Sequence, residues 1–336
     1  MTPRSKKAAC PTAHEHTHER VTEHATPEAF SSLDVVWRPI AQTHEYTQAH
    51  EHMPDHGQGH IRPHGSRRAA RERISPDERE DCPVPEDKAA CGGKAVLTVR
   101  ALSGLSGDIM LGGLAALAGF GNEELNRAVA GLNIPLPENC VRLEERSVNG
   151  VTGVGCRISL PHEHTHRTFR DIESLIAASS MPDEAKVLSL RAFALLATAE
   201  GAVHGQEAET VTFHEVGALD SILDACLCCS LFARLKPARF VCSPLPLADG
   251  SIRCAHGLLP SPAPAVLRLL EGVAVRAFPC AGETVTPTAL SLLKAMGADF
   301  GPWPEMTVQK TVISYGSKVF ADVPNGALWA LGRGAA

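Results

Sequence analysis

The chain has 336 residues, and its 32 Lys and Arg against 38 Asp and Glu leave a formal net charge of −6. That balance, with no basic stripe, excludes a nucleic-acid-binding surface. The apolar runs all fall short of the roughly 18 residues that a membrane span needs, so none is expected.

In chain order, residues 1–94 come first, and they hold 10 of the 16 His, all between His14 and His64. Charge is dense there and apolar clusters are few. Such a segment cannot bury enough surface to offset its ordering entropy, so it reads as a mostly disordered extension. Its runs HEHTHE, HEYTQAHEH and HGQGHIRPH bring imidazoles close enough to share an ion such as Ni, Cu or Zn without a fixed fold. The plainer reading is a solubilising low-complexity tail. The opening MTPRSKKAACPTAHEH is basic but has no apolar stretch, so neither a secretory signal nor a lipid anchor at Cys10 is expected. The 11 Cys are odd in number and form no paired CxxC pattern, which fits a reducing cytoplasm.

Residues 95–336 then supply a unit large enough for a substantial core. A strand is expected over residues 95–102 (AVLTVRAL), followed by the loop SGLSGD and an apolar helix from Ile109. In that loop Ser103, Gly104, Ser106, Gly107 and Asp108 are candidates for an anion cradle, because free N–H groups at a helix start can face a phosphate. A tight turn with Asp108 as cap explains the same residues, and no Walker pattern follows. Further along, a helix is expected over about 123–132, strands over 140–145 and 153–160, and a helix over 169–178. After a break at Met181 and Pro182 come helices over about 183–204 and 219–235. Cys226, Cys228 and Cys229 on the last of these read as buried hydrophobes rather than soft ligands. Short strands and Pro-rich turns fill the remainder. GETVTPT places Thr286 as an N-cap and Pro287 as the first helical residue. Interleaved strands and helices give the fold class α/β (or α+β), a compact mixed core preceded by the His-rich extension.

The run HGQEAETVTFHEVGALDSILD, residues 204–224, carries the densest set of candidate ligands. An unmatched charge against a core is costly, so this run is either solvated or a metal and acid–base site. Glu200 and His204 are four apart on one helix, as are Asp220 and Asp224 on the next, and each pair shares a face. His214 and Glu215 lie on the loop between them. Convergence of all six would make a mixed imidazole–carboxylate site for a divalent ion. In HEHTHR, His162, His164 and His166 alternate, so an extended chain puts them on one side, and Arg167 could clamp a phosphate or carboxylate. An exposed polar connection is the bland alternative. Thr286 and Thr288 stand at a helix start that could hold an anion or simply be capped. A zinc enzyme built on HEVG lacks the second His that HExxH requires.

The motifs SGLSGDIMLGGL, HTHRTFRDIESLI, AEGAVHG, FHEVGALDSILD, HGLLPSPAPA, GETVTPTA and YGSKVFADVPN follow one another from Ser103 to Asn325. In this order the chain resembles the LarC-type nickel insertion proteins, which mature the nickel-pincer cofactor of lactate racemase. The resemblance implies a nickel chelatase of the lyase class. Its reaction would be insertion of Ni(2+) into pyridinium-3,5-bisthiocarboxylic acid mononucleotide, with CTP and Mg(2+) or Mn(2+), for a lactate racemase-like recipient apoprotein. Under this reading His214, Glu215 and Asp220 are the expected catalytic residues. His164, His166, His204, His214, Glu215, Asp220 and Asp224 would carry nickel in transit. Ser103, Gly104, Ser106, Gly107, Asp108, Arg167, Thr286 and Thr288 would cradle the mononucleotide. The sequence departs from the family at Arg100, where an acidic residue is usual, and at Thr212, where a His usually precedes Phe-His-Glu. Family members usually continue past the equivalent of VPNGALWALGRG into a domain expected to bind CTP, so a separately encoded partner is expected here. The alternative function is a non-catalytic nickel-binding chaperone or store. No membrane or nucleic-acid partner is expected, and self-association is left open.

Overall fold

The computed structural model describes residues 93–161, 167–213, 216–254, 256–318, 320 and 323–334, all within the unit Asp81–Ala336. The His-rich extension through residue 92, the His162–His166 alternation, His214 and Glu215 lie outside the described residues.

The first strand, β1 (Ala95–Ala101), buries Leu97 and Val99 completely. The Ser-Gly loop leads into α1 (Gly107–Ala118), which ends at Gly119 with φ 72°. α2 (Asn122–Ala130) opens with the Glu124 carboxylate accepting the Gly121 N–H at 2.9 Å. β2 (Val141–Val148) and β3 (Val151–Ile158) form a hairpin around Asn149 and Gly150. Both turn residues have positive φ, 53° and 76°, the conformation that lets a two-residue loop follow the strand twist. β4 (Arg167–Thr168) leads into α3 (Phe169–Ala178), whose start is fixed by a reciprocal Thr168–Asp171 capping box. Pro182 precedes α4 (Asp183–His204), which Gly205 closes at φ 65°. After β5 (Thr212–Phe213) comes α5 (Leu219–Leu235).

The remaining elements are β6 (Arg239–Cys242), β7 (Leu245–Asp249), β8 (Ser251–Cys254), β9 (Gly257–Pro260), α6 (Pro264–Leu269), β10 (Val275–Ala281), α7 (Pro287–Ala295), β11 (Asp299–Phe300), β12 (Met306–Tyr315) and β13 (Gly326–Gly334). α7 begins as its sequence implies, with the Thr286 hydroxyl accepting the Ala289 N–H at 3.3 Å and Pro287 at the first position.

Seven strands make one mixed sheet in the order β11-β6-β1-β13-β12-β3-β2. β6 runs parallel to β1 and β11, and β12 runs parallel to β3. β13 is antiparallel to both β1 and β12. Five strands therefore point the same way, and β1, β3 and β12 deliver their carboxyl ends to one edge. β12 pairs with β3 only at Ser314 and Tyr315. Beyond that point the two chains part, and the last residues of β3 face a gap.

α1 packs against β3, β12, β13 and α5, and α4 packs against α3, α5, α6 and α7. Gly113 permits the first contact: a Cβ there would meet the Trp329 indole nitrogen at 2.2 Å. Trp329 is 1% exposed and donates its Nε1–H to Ser314 at 2.8 Å. Lys310 reaches the open end of α1, donating to the Ala116 and Leu117 carbonyls at 2.7 and 2.9 Å. This satisfies terminal acceptors and places a cation at the negative end of the helix. α4 has 22 residues and by length and composition alone is long and apolar enough to cross a bilayer, although the apolar runs of the sequence looked too short for that. Its apolar side is occupied by neighbouring helices, with Ala192, Phe193, Leu196 and Ala197 buried. Cys226, Cys228 and Cys229 are all within the core, as packing residues.

Candidate functional site

The loop after β1 is stitched to the segment before α7. Leu105 N–H donates to Thr284 O at 2.9 Å, and Thr286 N–H returns a bond to Leu105 O at 3.1 Å. Ser103 is fully buried and gives its hydroxyl to Pro324 O at 2.6 Å. Gly104 backs onto the Thr284 carbonyl, and Thr288 is 6% exposed. These three positions, read from sequence as parts of a phosphate cradle, are taken up by packing in the structure. The Thr286 hydroxyl caps α7.

Asp108 stands differently. It sits in the first turn of α1, where the helix dipole favours a negative charge. Its Oδ1 accepts from the Ile109 N–H at 2.9 Å and from the Ser106 hydroxyl, and its Oδ2 accepts the Ser317 N–H at 2.7 Å. Ser317 lies just past β12, so this carboxylate ties the start of α1 to the segment that follows β12. Asp220 and Asp224 come from the first two turns of α5, with Asp220 Oδ1 accepting the Ser221 N–H at 2.8 Å. Asp224 lies against Gly107, where a Cβ would come within 2.0 Å of its Oδ2. Only glycine leaves room for that carboxylate.

Asp108, Asp220 and Asp224 line one cavity of about 600 Å³ with Glu144, Cys156 and Ser317. Arg146, Arg157 and Ile158 complete the wall. Arg146 is tethered, donating from Nη1 to Gly316 O at 2.5 Å. The cavity lies outside the carboxyl ends of β1, β3 and β12, where open α/β sheets commonly bind ligands. Asp224 retains some surface as a whole residue, but its Oδ1 is cut off from solvent and has no hydrogen-bond partner among the described residues. Burial pushes its carboxyl well above the usual carboxylate range, and the nearby Asp108 and Asp220 add to the rise. Cys156 is pushed up as well, by burial first and then by Asp224, Asp108 and Glu144. Carboxyls grouped in this way attract a cation. Among the described residues, no group of three or more His, Cys, Asp or Glu is arranged to hold a metal ion as it stands.

The sequence grouped Glu200 and His204 with Asp220 and Asp224, but the structure divides them. Glu200 and His204 meet at 3.4 Å and line a second, smaller cavity of about 160 Å³ with Cys254, His256, Glu283 and Pro287. The His204 and His256 rings lie 5.0 Å apart. The reason is topological. The first pair sits at the carboxyl end of α4, near the β8–β9 hairpin and the start of α7, whereas the second sits at the amino end of α5 against α1. Arg167 donates from Nη1 to Gly217 O at 3.0 Å, fastening β4 to the segment that leads into α5. Arg100 is directed elsewhere, donating to Gly301 O at 3.0 Å and lying over the Trp303 ring.

Sequence reasoning missed Glu144, Arg146, Cys156, Arg157 and Ser317 as cavity residues, and Cys254 and His256 beside His204. The Asn-Gly turn was the available signal for the first group, because it fixes the hairpin that carries four of them. The ordered motifs sort onto the two cavities. SGLSGDIMLGGL, FHEVGALDSILD and YGSKVFADVPN contribute to the acidic one, and AEGAVHG, HGLLPSPAPA and GETVTPTA to the smaller one.

Residues 97–332 match the family described as nickel insertion protein. A pyridinium-3,5-bisthiocarboxylic acid mononucleotide nickel insertion protein of Nocardioides sp. is 39% identical over 227 residues, 68% of this chain and 57% of the relative. Proteins of the same name from Desulfitobacterium hafniense and Staphylococcus epidermidis are 38% identical over 219 residues and 34% identical over 223. These alignments cover 65% and 66% of this chain, and 53% and 55% of the relatives. The chain thus spans about half the length of the relatives it matches, and no solved structure matches it. With the family match running through nearly all of the described fold, from β1 to β13, the chain belongs to the nickel insertion protein family.

Proposed function

We propose that this chain carries out nickel insertion into pyridinium-3,5-bisthiocarboxylic acid mononucleotide, as a chelatase of the lyase class, with the ion passing through the acidic cavity. The observation that carries this reading is the cluster of Asp108, Asp220 and Asp224 at the strand ends, with a buried Asp224 oxygen that has no partner among the described residues. A divalent cation satisfies that oxygen and relieves the repulsion among the three carboxyls. Oxygen ligands hold nickel loosely, and the thiocarboxylate sulfurs of the acceptor are softer donors that draw the ion away. A ligand set that is incomplete without the acceptor suits a protein that must release its cargo.

In this reading Asp220 and Asp224 are carboxylate ligands, and His214 and Glu215, on the segment next to Asp220, complete the catalytic set. His204, with His256 and Cys254 beside it, forms a separate station for the ion, and His164 and His166 are further ligands for nickel in transit. Residues 1–94 form a separate His-rich extension that gathers nickel near the folded unit, as a tether raises local concentration. CTP with Mg(2+) or Mn(2+), a partner supplying the remaining half of the relatives' length, a lactate racemase-like recipient and a cytoplasmic location complete the proposal.

The test is transfer. The full chain is loaded with nickel, mixed with the bisthiocarboxylate mononucleotide, CTP and Mg(2+), and followed by absorbance of the nickel–sulfur product. Product formation that falls in His214→Ala and Asp220→Ala, with both variants still folded by circular dichroism, is expected. Unchanged transfer in both variants refutes the site. Nickel binding with no transfer, even after addition of the half of a full-length relative that this chain does not match, leaves a nickel chaperone or store.

A further inference from the structure

The acidic cavity has one feature that a cation site does not use. Arg157 lines it at the carboxyl end of β3, and Arg142 stands directly across from Arg157 in the β2–β3 register. Both side chains are exposed. Among the described residues neither makes a hydrogen bond or an ion pair, and Glu144, two residues along the same strand from Arg142, forms no ion pair with either. Like charges directly opposite on paired strands are destabilising. Here Arg157 shares the cavity wall with Arg146, Glu144 and the three aspartates, and Arg142 is its cross-strand neighbour.

We infer that Arg157, together with Arg142, grips the phosphate of the mononucleotide and so orients its ring toward Asp108, Asp220 and Asp224. This rests on the proposed nickel insertion and adds to it the residues that recognise the acceptor. A phosphate is repelled by the three aspartates and drawn to the guanidinium of Arg157, which leaves the ring of the ligand to lie beside the cation. A guanidinium offers paired donors that match phosphate oxygens, and a cavity of about 600 Å³ falls in the range of about 300–1,000 Å³ typical of small-molecule sites. Arg146, fixed to Gly316 O, adds a second cation to the cavity wall. The Arg142–Arg157 pair, with no counterion among the described residues, is thus a specificity element whose partner is the ligand.

The experiment uses the full, nickel-free chain and isothermal titration with three probes: nicotinic acid mononucleotide (a pyridinium-3-carboxylic acid mononucleotide), its riboside lacking phosphate, and inorganic phosphate. The mononucleotide is expected to bind at least about tenfold more tightly than the riboside, as one charged hydrogen-bonded contact implies. Arg142→Ala and Arg157→Ala should each remove about that factor for the mononucleotide and leave the riboside unchanged. Arg157→Lys should retain part of the preference. Both residues are exposed, so the variants are expected to fold, and a circular dichroism melt checks this. No mononucleotide binding, equal binding of mononucleotide and riboside, or a preference that survives the double alanine variant overturns the inference. So does displacement of the mononucleotide by equimolar inorganic phosphate, which would mark a general anion site. A parallel nickel titration of Asp220→Asn keeps the two readings apart. If nickel affinity is unchanged while the arginine effects hold, the nickel site fails and the phosphate grip stands.

Discussion

Replacing Asp224 with Asn should make the nickel-free chain more stable at neutral pH and a poorer nickel binder, two changes in opposite directions. Asp224 Oδ1 is shielded and has no partner among the described residues, and its carboxyl is held well above the usual range by burial and by Asp108 and Asp220. An amide keeps the shape and polarity of the side chain but removes the charge, and each pKa unit by which a folded carboxyl is raised costs about 1.4 kcal/mol once it ionises. The residue keeps some exposed surface, so solvent screening holds the figure near about 1 kcal/mol. For a unit of this size that corresponds to a rise in Tm of about 2–4 °C. The direction with pH follows from proton linkage. The folded state binds the Asp224 proton more tightly than the unfolded state, so its stability declines as pH rises from about 3.9, the unfolded value, through the folded value. Below both values the wild-type carboxyl is neutral and the strain is gone. The Asn variant should therefore melt higher at pH 7.5 and lose its advantage toward pH 4. Thermal unfolding by circular dichroism at the two pH values measures this. A variant that is no more stable at pH 7.5, or whose advantage is as large at pH 4, refutes the account of a strained carboxylate waiting for a cation.

Three other outcomes are expected. Gly113→Ala drives a methyl into the Trp329 indole, and an overpacked core costs about 1–3 kcal/mol; urea unfolding and a shift in Trp emission report it, and an unchanged midpoint means that α1 does not pack on β13 as described. Thr286→Ala removes the cap of α7 and should cost about 1 kcal/mol with nickel affinity unchanged; loss of nickel binding would give this hydroxyl a ligand role that its bond to Ala289 does not suggest. Deletion of residues 1–94 should leave a chain that unfolds in one cooperative transition by circular dichroism; aggregation of the truncated chain would show that the fold needs the extension.

Local signals carried far in this chain, and long-range ones did not. α3, α4 and α5 lie where the sequence places them because each boundary has a chemical marker: the Thr168 box, Pro182 with Gly205, and the apolar period of residues 219–235. The hairpin strands reach further toward each other than their expected spans. Arg146, Ser147 and Val148 look like a polar loop until the Asn149-Gly150 turn is given its weight. The pairing of β1 with β13 joins segments more than 200 residues apart, and nothing in either strand names the other. The site followed the same rule. Asp220 and Asp224 could be read as one helix face, but Asp108, Glu144 and Ser317 reach them through sheet order alone. Glu200 and His204 were close in sequence to Asp220 and ended in another cavity, because α4 finishes at the far side of the segment that α5 begins.

The buried cysteines have a consequence for metal traffic. Only a thiolate, not a thiol, competes for a soft ion. Burial pushes Cys226, Cys229 and Cys242 up to about 12, and Cys228 and Cys156 up as well. At neutral pH these five sulfurs stay protonated and inert, Cys156 among them although it borders the acidic cavity. If nickel crosses that cavity, Cys156, the sulfur on its wall, is a thiol that does not trap it. The sulfur that captures it is then the one that arrives with the acceptor, and the buried thiols compete little with that transfer.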